Sequence, residues 1–339
     1  MLQIKQHFNL KPYNTFGIKA LCTYFTEINS EFDFLELIQN TIYKTNQKLI
    51  LGGGSNILFT KNFDGIVIKN NLKGISVVSQ TETEVIVKAN AGEVWHDLVL
   101  WCISNNYCGL ENLSLIPGCV GASPMQNIGA YGVEIKDVFY ELEALDIETG
   151  NKRSFNLLQC KFGYRESVFK HEFKNKYLIA SVSFKLKKQA HLNTTYGAIN
   201  TELEHMKITS PTIKDVSNAV INIRESKLPN PKIMGNAGSF FKNPEVIENV
   251  YLNLKLKYPN LVAYPLANGN YKLAAGWLIE HCGIKGYEYN GAAVHTKQAL
   301  VLINKNNCTG NDVYQLSTYV LQKVFNTFGV TLEREVNII

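Results

Sequence analysis

Apolar residues Phe34, Leu35, Ile38 and Ile42 recur at the three-to-four spacing of one helical face, which predicts an amphipathic helix over 31–44. The chain before about Lys19 reads as extended, and residues 48–51 read as a short strand running directly into Gly52-Gly53-Gly54-Ser55-Asn56. β-rich runs then predict strands over 65–68, 74–78 and 84–89, followed by a helix over 93–104. From 112 to 132 periodicity gives way to small residues, glycines and prolines, and a structureless stretch of that length inside a compact domain is usually functional. Strands return over 139–147 and 177–186, the first ending in the turn Glu148-Thr149-Gly150-Asn151. A helix opened by Ser210-Pro211 is expected to reach Arg224, and Lys227-Leu228-Pro229-Asn230-Pro231 reads as a linker. Beyond it, Asn243-Pro244 has the form of an N-cap and first helical residue. A helix over 272–282 before Gly283 comes next, then strands over 291–296 and 299–303. A long helix over 312–328, stopped by Gly329, precedes a last strand over 331–336 with Glu333 and Glu335 on one face. This mixture predicts an α+β protein.

At 339 residues the chain is long enough for two or three domains. Apolar residues make up 45% and charged residues 19%, and no apolar run approaches the length of a membrane span, so no membrane insertion is expected. Met1-Leu2-Gln3-Ile4-Lys5 lacks the apolar core of a signal peptide, which points to the cytoplasm. Cysteines 22, 102, 108, 119, 160, 282 and 308 are odd in number and never form C-x-x-C, so neither a disulfide framework nor a thiolate metal site is expected. Histidines 171, 191 and 205 lie in polar surroundings without H-E-x-x-H spacing, and no metal is expected. Trp95, Trp101 and Trp277 sit on helical patterns and read as core. The net charge of +5 comes from dispersed lysines, which suits a small anionic ligand better than nucleic acid.

Three segments carry candidate chemistry. Gly52 to Asn56 comes after a strand and can form a concave row of backbone N–H groups with no Cβ in the way of a phosphate. It is neither G-x-G-x-x-G nor a lysine-bearing P-loop, so a plain glycine turn is the alternative. The loop from Ile116 to Gly132 adds amides at Gln126 and Asn127 and a ring at Tyr131, and two such loops suit one long dinucleotide such as a flavin nucleotide. In Asn236-Ala237-Gly238-Ser239-Phe240-Phe241-Lys242-Asn243-Pro244 a serine lies between a glycine and two aromatics, with no nearby histidine and no G-x-S-x-G elbow. That context favours a serine that donates a proton over one that attacks, with the phenylalanines excluding water beside it.

Asn14-Thr15-Phe16-Gly17, the two glycine-rich loops, Gly163-Tyr164-Arg165-Glu166-Ser167, the Ser239 segment, Gly291-Ala292-Ala293-Val294-His295 and Leu332-Glu333-Arg334-Glu335-Val336 together resemble the UDP-N-acetylenolpyruvoylglucosamine reductase family, over nearly the whole chain. Thr195-Tyr196-Gly197 is similar to the substrate-loop tyrosine of its type I branch. The resemblance implies a two-lobed FAD-binding fold of the vanillyl-alcohol-oxidase (PCMH) type plus a C-terminal α+β substrate-binding domain. Its lobes would be 1–71 and 72–228, the second with a returning strand at 330–339, and the substrate domain 229–329. It implies FAD held by Gly52, Gly53, Gly54, Ser55, Asn56, Pro117, Gly118, Gly121, Ala122, Ser123, Gln126, Asn127, Gly129, Tyr131 and Gly132. Binding would be noncovalent, because Ser55-Asn56 stand where covalent relatives carry a histidine.

NADPH would reduce FAD and depart, and UDP-N-acetylglucosamine enolpyruvate would then take up hydride and a proton to give UDP-N-acetylmuramate, a peptidoglycan precursor. The catalytic positions map to Ser239 as proton donor and to Arg165 and Glu335 as stabilisers of the enolate. Substrate contacts map to Tyr131, Tyr164, Tyr196, Lys227, Asn243 and Gln298. The resemblance further implies a monomer acting on a nucleotide sugar, with one cavity serving both ligands. Two departures stand out: Arg334 where relatives often have proline, and Ala198 where an acidic residue is common. A flavin oxidase of the same fold and a nonenzymatic nucleotide-sugar binder are the alternatives.

Overall fold

Asn40 divides the run predicted as one helix. Its Oδ1 accepts the Ile42 N–H at 2.8 Å while its own N–H donates to the Leu37 carbonyl at 2.9 Å, so helix Glu31–Gln39 ends and helix Thr41–Thr45 begins at one residue. The first of the two opens on a reciprocal capping box between Ser30 and Asp33. The computed structural model describes residues 2–339. The chain forms two compact units, one comprising the residues up to Phe8 with 22–54 and 64–226, the other comprising 9–21, 55–63 and 227–339.

The first unit holds two sheets. One has the order Lys5–Asn9, Leu21–Ile28, Phe63–Asn70, Lys48–Leu51, with Lys48–Leu51 parallel to Phe63–Asn70 and Leu51 opposite Lys69. That register delivers the chain into Gly52 directly after the buried Leu51. The other sheet is antiparallel, in the order Lys152–Asn156, Phe139–Asp146, Tyr177–Lys187, Glu84–Asn90, Ile75–Gln80. Lys152–Asn156, not predicted as a strand from the sequence, is the immediate return of the hairpin. Phe34, Leu37, Ile66 and Ile68 pack with Leu145, Leu178 and Ala180 to join the two sheets, and the Asn70 side-chain amide donates to the Ile179 carbonyl at 2.8 Å. Trp95 is buried under the second sheet, its indole N–H on the Leu113 carbonyl at 2.9 Å, whereas Trp101 and Trp277 are half-buried. Helix Ile199–His205, unpredicted from the sequence, packs on helix Ile213–Lys227 through Ile199, Leu203, Val216 and Val220. Thr212 and Asp215, not Ser210, exchange hydrogen bonds at the start of the longer one.

The second unit centres on an antiparallel sheet, Gly235–Ser239, Val301–Asn304, Ala292–Val294 and Glu288–Tyr289, covered by helix Gly310–Phe328. That helix buries Val313, Leu316, Val320, Val324 and Phe328, a stripe at helical spacing. Thr309 and Asp312 cap its start and Gly329 (φ +67°) its end. Helix Glu248–Lys257 begins later than Asn243-Pro244 suggests, because Glu245–Val246 first pairs with Tyr271–Leu273. Residues 330–339, expected with the second lobe, belong here. Asn337–Ile338 runs parallel to Ile57–Leu58, the Thr60 N–H donates to the Ile339 carbonyl at 2.7 Å, and Arg334 bridges Phe241. Arg334 makes only an isolated bridge, so the strand predicted over 331–336 is extended chain with its regular pairing shifted to Asn337–Ile338.

Gly310 shows how tightly 55–63 sits in this unit: a Cβ there would collide with the Phe59 carbonyl, whereas one at Gly329 would meet nothing within 4 Å. Gly310→Ala is therefore expected to cost about 3 kcal/mol through overpacking. Gly329→Ala should cost only about 1 kcal/mol, from the left-handed backbone alone. Thermal unfolding of the two variants, with equal shifts in Tm, would count against this packing.

Candidate active site

The two glycine-rich loops meet at their backbones. An ideal Cβ on Gly53 would lie 2.8 Å from the Gly118 Cα, one on Gly52 3.7 Å from the Cys119 Cβ, and Gly54 adopts φ +64°. Gly53 therefore tolerates no side chain against the second loop, whereas a Cβ on Gly52 would meet only ordinary van der Waals contact, and glycine amides stay open along this stretch. The second loop is pinned from behind: Trp95 N–H to Gly118 O at 3.0 Å, Val120 N–H to Glu93 O at 2.8 Å and Gly121 N–H to Ala91 O at 2.9 Å. A Cβ on Gly121 would lie 2.5 Å from the Ala91 Cβ. Ala122 and Ser123 lie in the short 3-10 helix Val120–Met125, and Pro117, Ala122 and Gly132 are exposed.

Two predicted cofactor residues turn out to hold the loop together. Ser123 Oγ donates to Val120 O at 2.7 Å. Asn127, fully buried at φ +44°, donates Nδ2 to Glu134 Oε2 and Gly163 O, both at 3.0 Å, and accepts Lys136 N–H at 3.1 Å. Gln126 and Gly129 flank it, half-buried. His96 Nδ1 accepts the Leu115 N–H at 3.0 Å and so fixes the loop's start, where Leu115 takes φ +58°. Burial depresses the His96 pKa, which favours the neutral ring that can accept this bond.

Arg165 lies in the tight turn closed by Gly163 N–H to Glu166 O at 3.0 Å and Glu166 N–H to Gly163 O at 3.3 Å. Its φ is +56°, a conformation costly for a side-chain-bearing residue. Nη2 donates to the Gly129 carbonyl at 2.8 Å and the guanidinium lies 5.4 Å from the Tyr164 ring centroid, so Arg165 and Tyr164 are tied to the second glycine loop. Tyr131, also left-handed at φ +51°, meets the Tyr196 ring edge-on with centroids 6.1 Å apart. Asn112, buried, donates Nδ2 to the carbonyls of both Tyr131 (3.0 Å) and Asn193 (2.8 Å), holding the Tyr196 segment to this loop.

Sequence reasoning missed Arg224, whose guanidinium hydrogen-bonds the Tyr131 hydroxyl and whose buried Nε has no protein partner. Burial raises the Tyr131 pKa and Arg224 partly offsets it. The available signal was its spacing: Arg224 falls on the same helical face as the buried Ser217 and Val220. A charged residue in register with a buried stripe needs an acceptor, and an anionic or carbonyl-rich ligand would supply one.

In the second unit, Ser239 ends strand Gly235–Ser239, exposed, after a register shift against Val301–Asn304. Gly238 (φ +70°) donates its N–H to Asn236 Oδ1 at 2.9 Å and makes the bend. Phe240 and Phe241 do not shield Ser239 as expected from the sequence. They are buried in the unit's core, Phe240 edge-on to Phe16 at 6.2 Å. The Glu335 N–H donates to the Phe240 carbonyl at 2.8 Å, so Glu335, half-buried, lies on the chain segment adjoining Ser239. Ser55 and Asn56 also belong to this unit, and Asn56 Nδ2 reaches the Glu335 carbonyl at 3.4 Å.

Asn243 does not cap a helix at Pro244. Its Oδ1 accepts the Ala275 N–H at 2.9 Å and so caps helix Ala275–His281 from 32 residues away. Gln298 is half-buried, its Oε1 accepting the Leu300 N–H at 3.4 Å, and Lys227 is exposed at the end of its helix. Among the described residues no helix is long and apolar enough to cross a membrane, and no group of three or more His, Cys, Asp or Glu is placed to hold a metal ion.

Comparison with known proteins places these parts. Residues 35–155 match the FAD binding domain, and 230–339 match the UDP-N-acetylenolpyruvoylglucosamine reductase C-terminal domain. UDP-N-acetylenolpyruvoylglucosamine reductase of Flavobacterium johnsoniae is 48% identical over 339 residues, covering 100% of both chains, and that of Amoebophilus asiaticus is 47% identical over 338 residues with the same coverage. The crystal structure of UDP-N-acetylenolpyruvylglucosamine reductase from Thermus caldophilus, 20% identical, shares the fold at a TM-score of 0.66 over 100% of this chain and 98% of that one. With an FAD-binding domain followed by that C-terminal domain, and full-length relatives of one kind, the chain belongs to the UDP-N-acetylenolpyruvoylglucosamine reductase family.

Proposed function

We propose that this protein catalyses the NADPH-dependent, FAD-mediated reduction of UDP-N-acetylglucosamine enolpyruvate to UDP-N-acetylmuramate in peptidoglycan precursor synthesis. The observation that carries the reading is the Glu335 N–H on the Phe240 carbonyl, which puts a carboxyl-bearing residue on the segment adjoining an exposed serine that lacks any triad. The side-chain-intolerant contact of Gly53 with Gly118 fits a dinucleotide pyrophosphate, and the partnerless Arg224 Nε fits a ligand acceptor near Tyr131. The glycine cradle and Arg224 would hold FAD, whose flavin would supply to the terminal enolpyruvyl carbon the hydride drawn from NADPH.

The chain's own residues handle the charge and the proton. Hydride addition leaves carbanion character beside the substrate carboxylate, delocalised onto its oxygens. Arg165 binds that carboxylate with its planar fork, and Glu335, protonated, donates a hydrogen bond to the same enolate oxygens. Ser239 transfers its hydroxyl proton to the carbanion, completing addition of one hydride and one proton across the double bond, and recovers a proton afterwards. Tyr131, Tyr164, Tyr196, Lys227, Asn243 and Gln298 hold the nucleotide sugar. In this reading 1–71 and 72–228 supply the flavin lobes and 229–329 the substrate domain, with segments 9–21 and 55–63 packing in the unit that holds the latter, in a monomer working in the cytoplasm. Through the cell wall its product supports cell shape and division.

Ser239→Ala is expected to leave NADPH-driven flavin reduction within about twofold while slowing reoxidation by the enolpyruvyl substrate by about 100-fold or more, in anaerobic stopped-flow. Equal loss in both half-reactions would remove Ser239 from the chemistry. Gly53→Ala should force the two glycine loops apart. The purified variant is then expected to have a lower flavin-to-protein absorbance ratio than the parent, and full retention of FAD would argue against the cradle.

A further inference from the structure

Glu335 lies on extended chain whose neighbour Arg334 makes only an isolated bridge to Phe241, yet the proposed chemistry needs its carboxyl held still. The residue beside it has no assigned role. Arg334 turns its guanidinium onto helix Gly310–Phe328, donating Nε to Ser317 Oγ at 2.8 Å and Nη2 to Thr318 Oγ1 at 2.7 Å, and lying 4.5 Å over the Tyr314 ring. Its acceptors are themselves fixed, since Ser317, fully buried, donates Oγ to Tyr314 O at 2.6 Å and Thr318 donates to the same carbonyl at 3.1 Å. Two hydrogen bonds and a stacked ring therefore tie one side of the extended segment to the unit's longest helix. Adjacent residues of an extended chain project to opposite sides, so this anchor leaves Glu335 facing away from the helix.

The backbone pattern says why an arginine is used here. Lys242 N–H donates to Glu333 O at 2.9 Å and Glu335 N–H to Phe240 O at 2.8 Å, bracketing the Phe241–Arg334 bridge. In such an antiparallel pair the Arg334 N–H points away from the partner strand. A proline at this position would lose no ladder bond and would stiffen the chain through its own ring. An arginine leaves the backbone flexible and must restrain it through its side chain.

We propose that Arg334 is the positioning residue for Glu335, immobilising its peptide by anchoring to Tyr314, Ser317 and Thr318 and doing with side-chain contacts what a proline does with a fixed φ. This rests on the proposed function, in which Glu335 acts on the substrate. The test compares FAD-loaded parent, Arg334→Ala and Arg334→Pro. In Arg334→Ala, reoxidation of the NADPH-reduced enzyme by the enolpyruvyl substrate should slow by about 100-fold, as expected for a misplaced catalytic group, while reduction by NADPH stays within about twofold. Hydrogen exchange at the Glu335 amide should quicken by about 10-fold or more as local opening becomes easier. Arg334→Pro should restore both toward parent values.

Unchanged exchange and reoxidation in Arg334→Ala, or a proline variant no better than alanine, would overturn the proposal. Equal loss in both half-reactions with a large fall in Tm would overturn it too, by making Arg334 a general stabiliser. If Arg334→Ala does not fold, Arg334→Gln carries the same comparison. A parent enzyme that fails to react with the substrate would sink the functional reading alone, because the exchange experiment still decides whether Arg334 restrains Glu335.

Discussion

A carboxyl group on irregular extended chain is held still only if that segment is paired into the fold. Here the restraint is backbone pairing on two sides of Glu335: its own N–H is taken by Phe240, while Asn337 and Ile339 are taken by Asn56 and Leu58. Each such bond contributes about 1 kcal/mol net, so a single one would let the segment open, but several together make opening cooperative. Segment 55–63 is what allows this. It leaves the first unit directly after the glycine loop and lines up beside the last strand, so the residues just past the loop and the residues that carry Glu335 are fixed by one another.

The first unit meets a related demand by other means. A backbone cradle requires a chain without side chains at the contact, and such a chain is intrinsically floppy. The loop from Ile116 to Gly132 escapes this through buried polar side chains that act as internal struts. Asn127 satisfies three backbone or carboxylate partners, Asn112 reaches the carbonyl of Asn193 81 residues away as well as that of Tyr131, and His96 holds Leu115. These residues need not touch a ligand. Their amides and imidazole replace the hydrogen bonds that regular secondary structure would have given.

Regular periodicity was the legible part of the sequence. The stripe of helix Gly310–Phe328 and the strand feeding Gly52 could be read because an apolar face or a glycine run announces itself locally. The misreadings share a cause, which is that the deciding partner lies far away in sequence. Asn243 looked like a cap for the helix beside it, but its acceptor is used by Ala275. Phe240 and Phe241 looked like a shield for Ser239, but Phe16 and the rest of the core claim them. Asn40 was hidden within an unbroken amphipathic pattern because stopping one helix and starting another at the same residue leaves that pattern almost intact. For the proposed site, motif resemblance named Ser239, Arg165 and Glu335, whereas Arg224 falls in no motif and Arg334 stands in one only as a departure from it. Their signature is a charge placed where only a folded partner can satisfy it.

Strain marks the same places. Leu115, Tyr131 and Arg165 all sit in the left-handed region, where residues with bulky side chains lose about 1–2 kcal/mol each, and all three belong to the second glycine loop, its approach or the turn bonded to it. Such conformations persist only when the surroundings over-determine them. Leu115 is held by His96, Tyr131 by Asn112 and Arg224, and Arg165 by the Gly163–Glu166 turn and the Gly129 carbonyl. Arg165 combines this strained backbone with a guanidinium hydrogen-bonded to the Gly129 carbonyl at 2.8 Å. In the proposed chemistry, a fork held in advance by the Gly129 carbonyl would be preorganised for a substrate carboxylate, and such preorganisation gives an arginine leverage on developing negative charge.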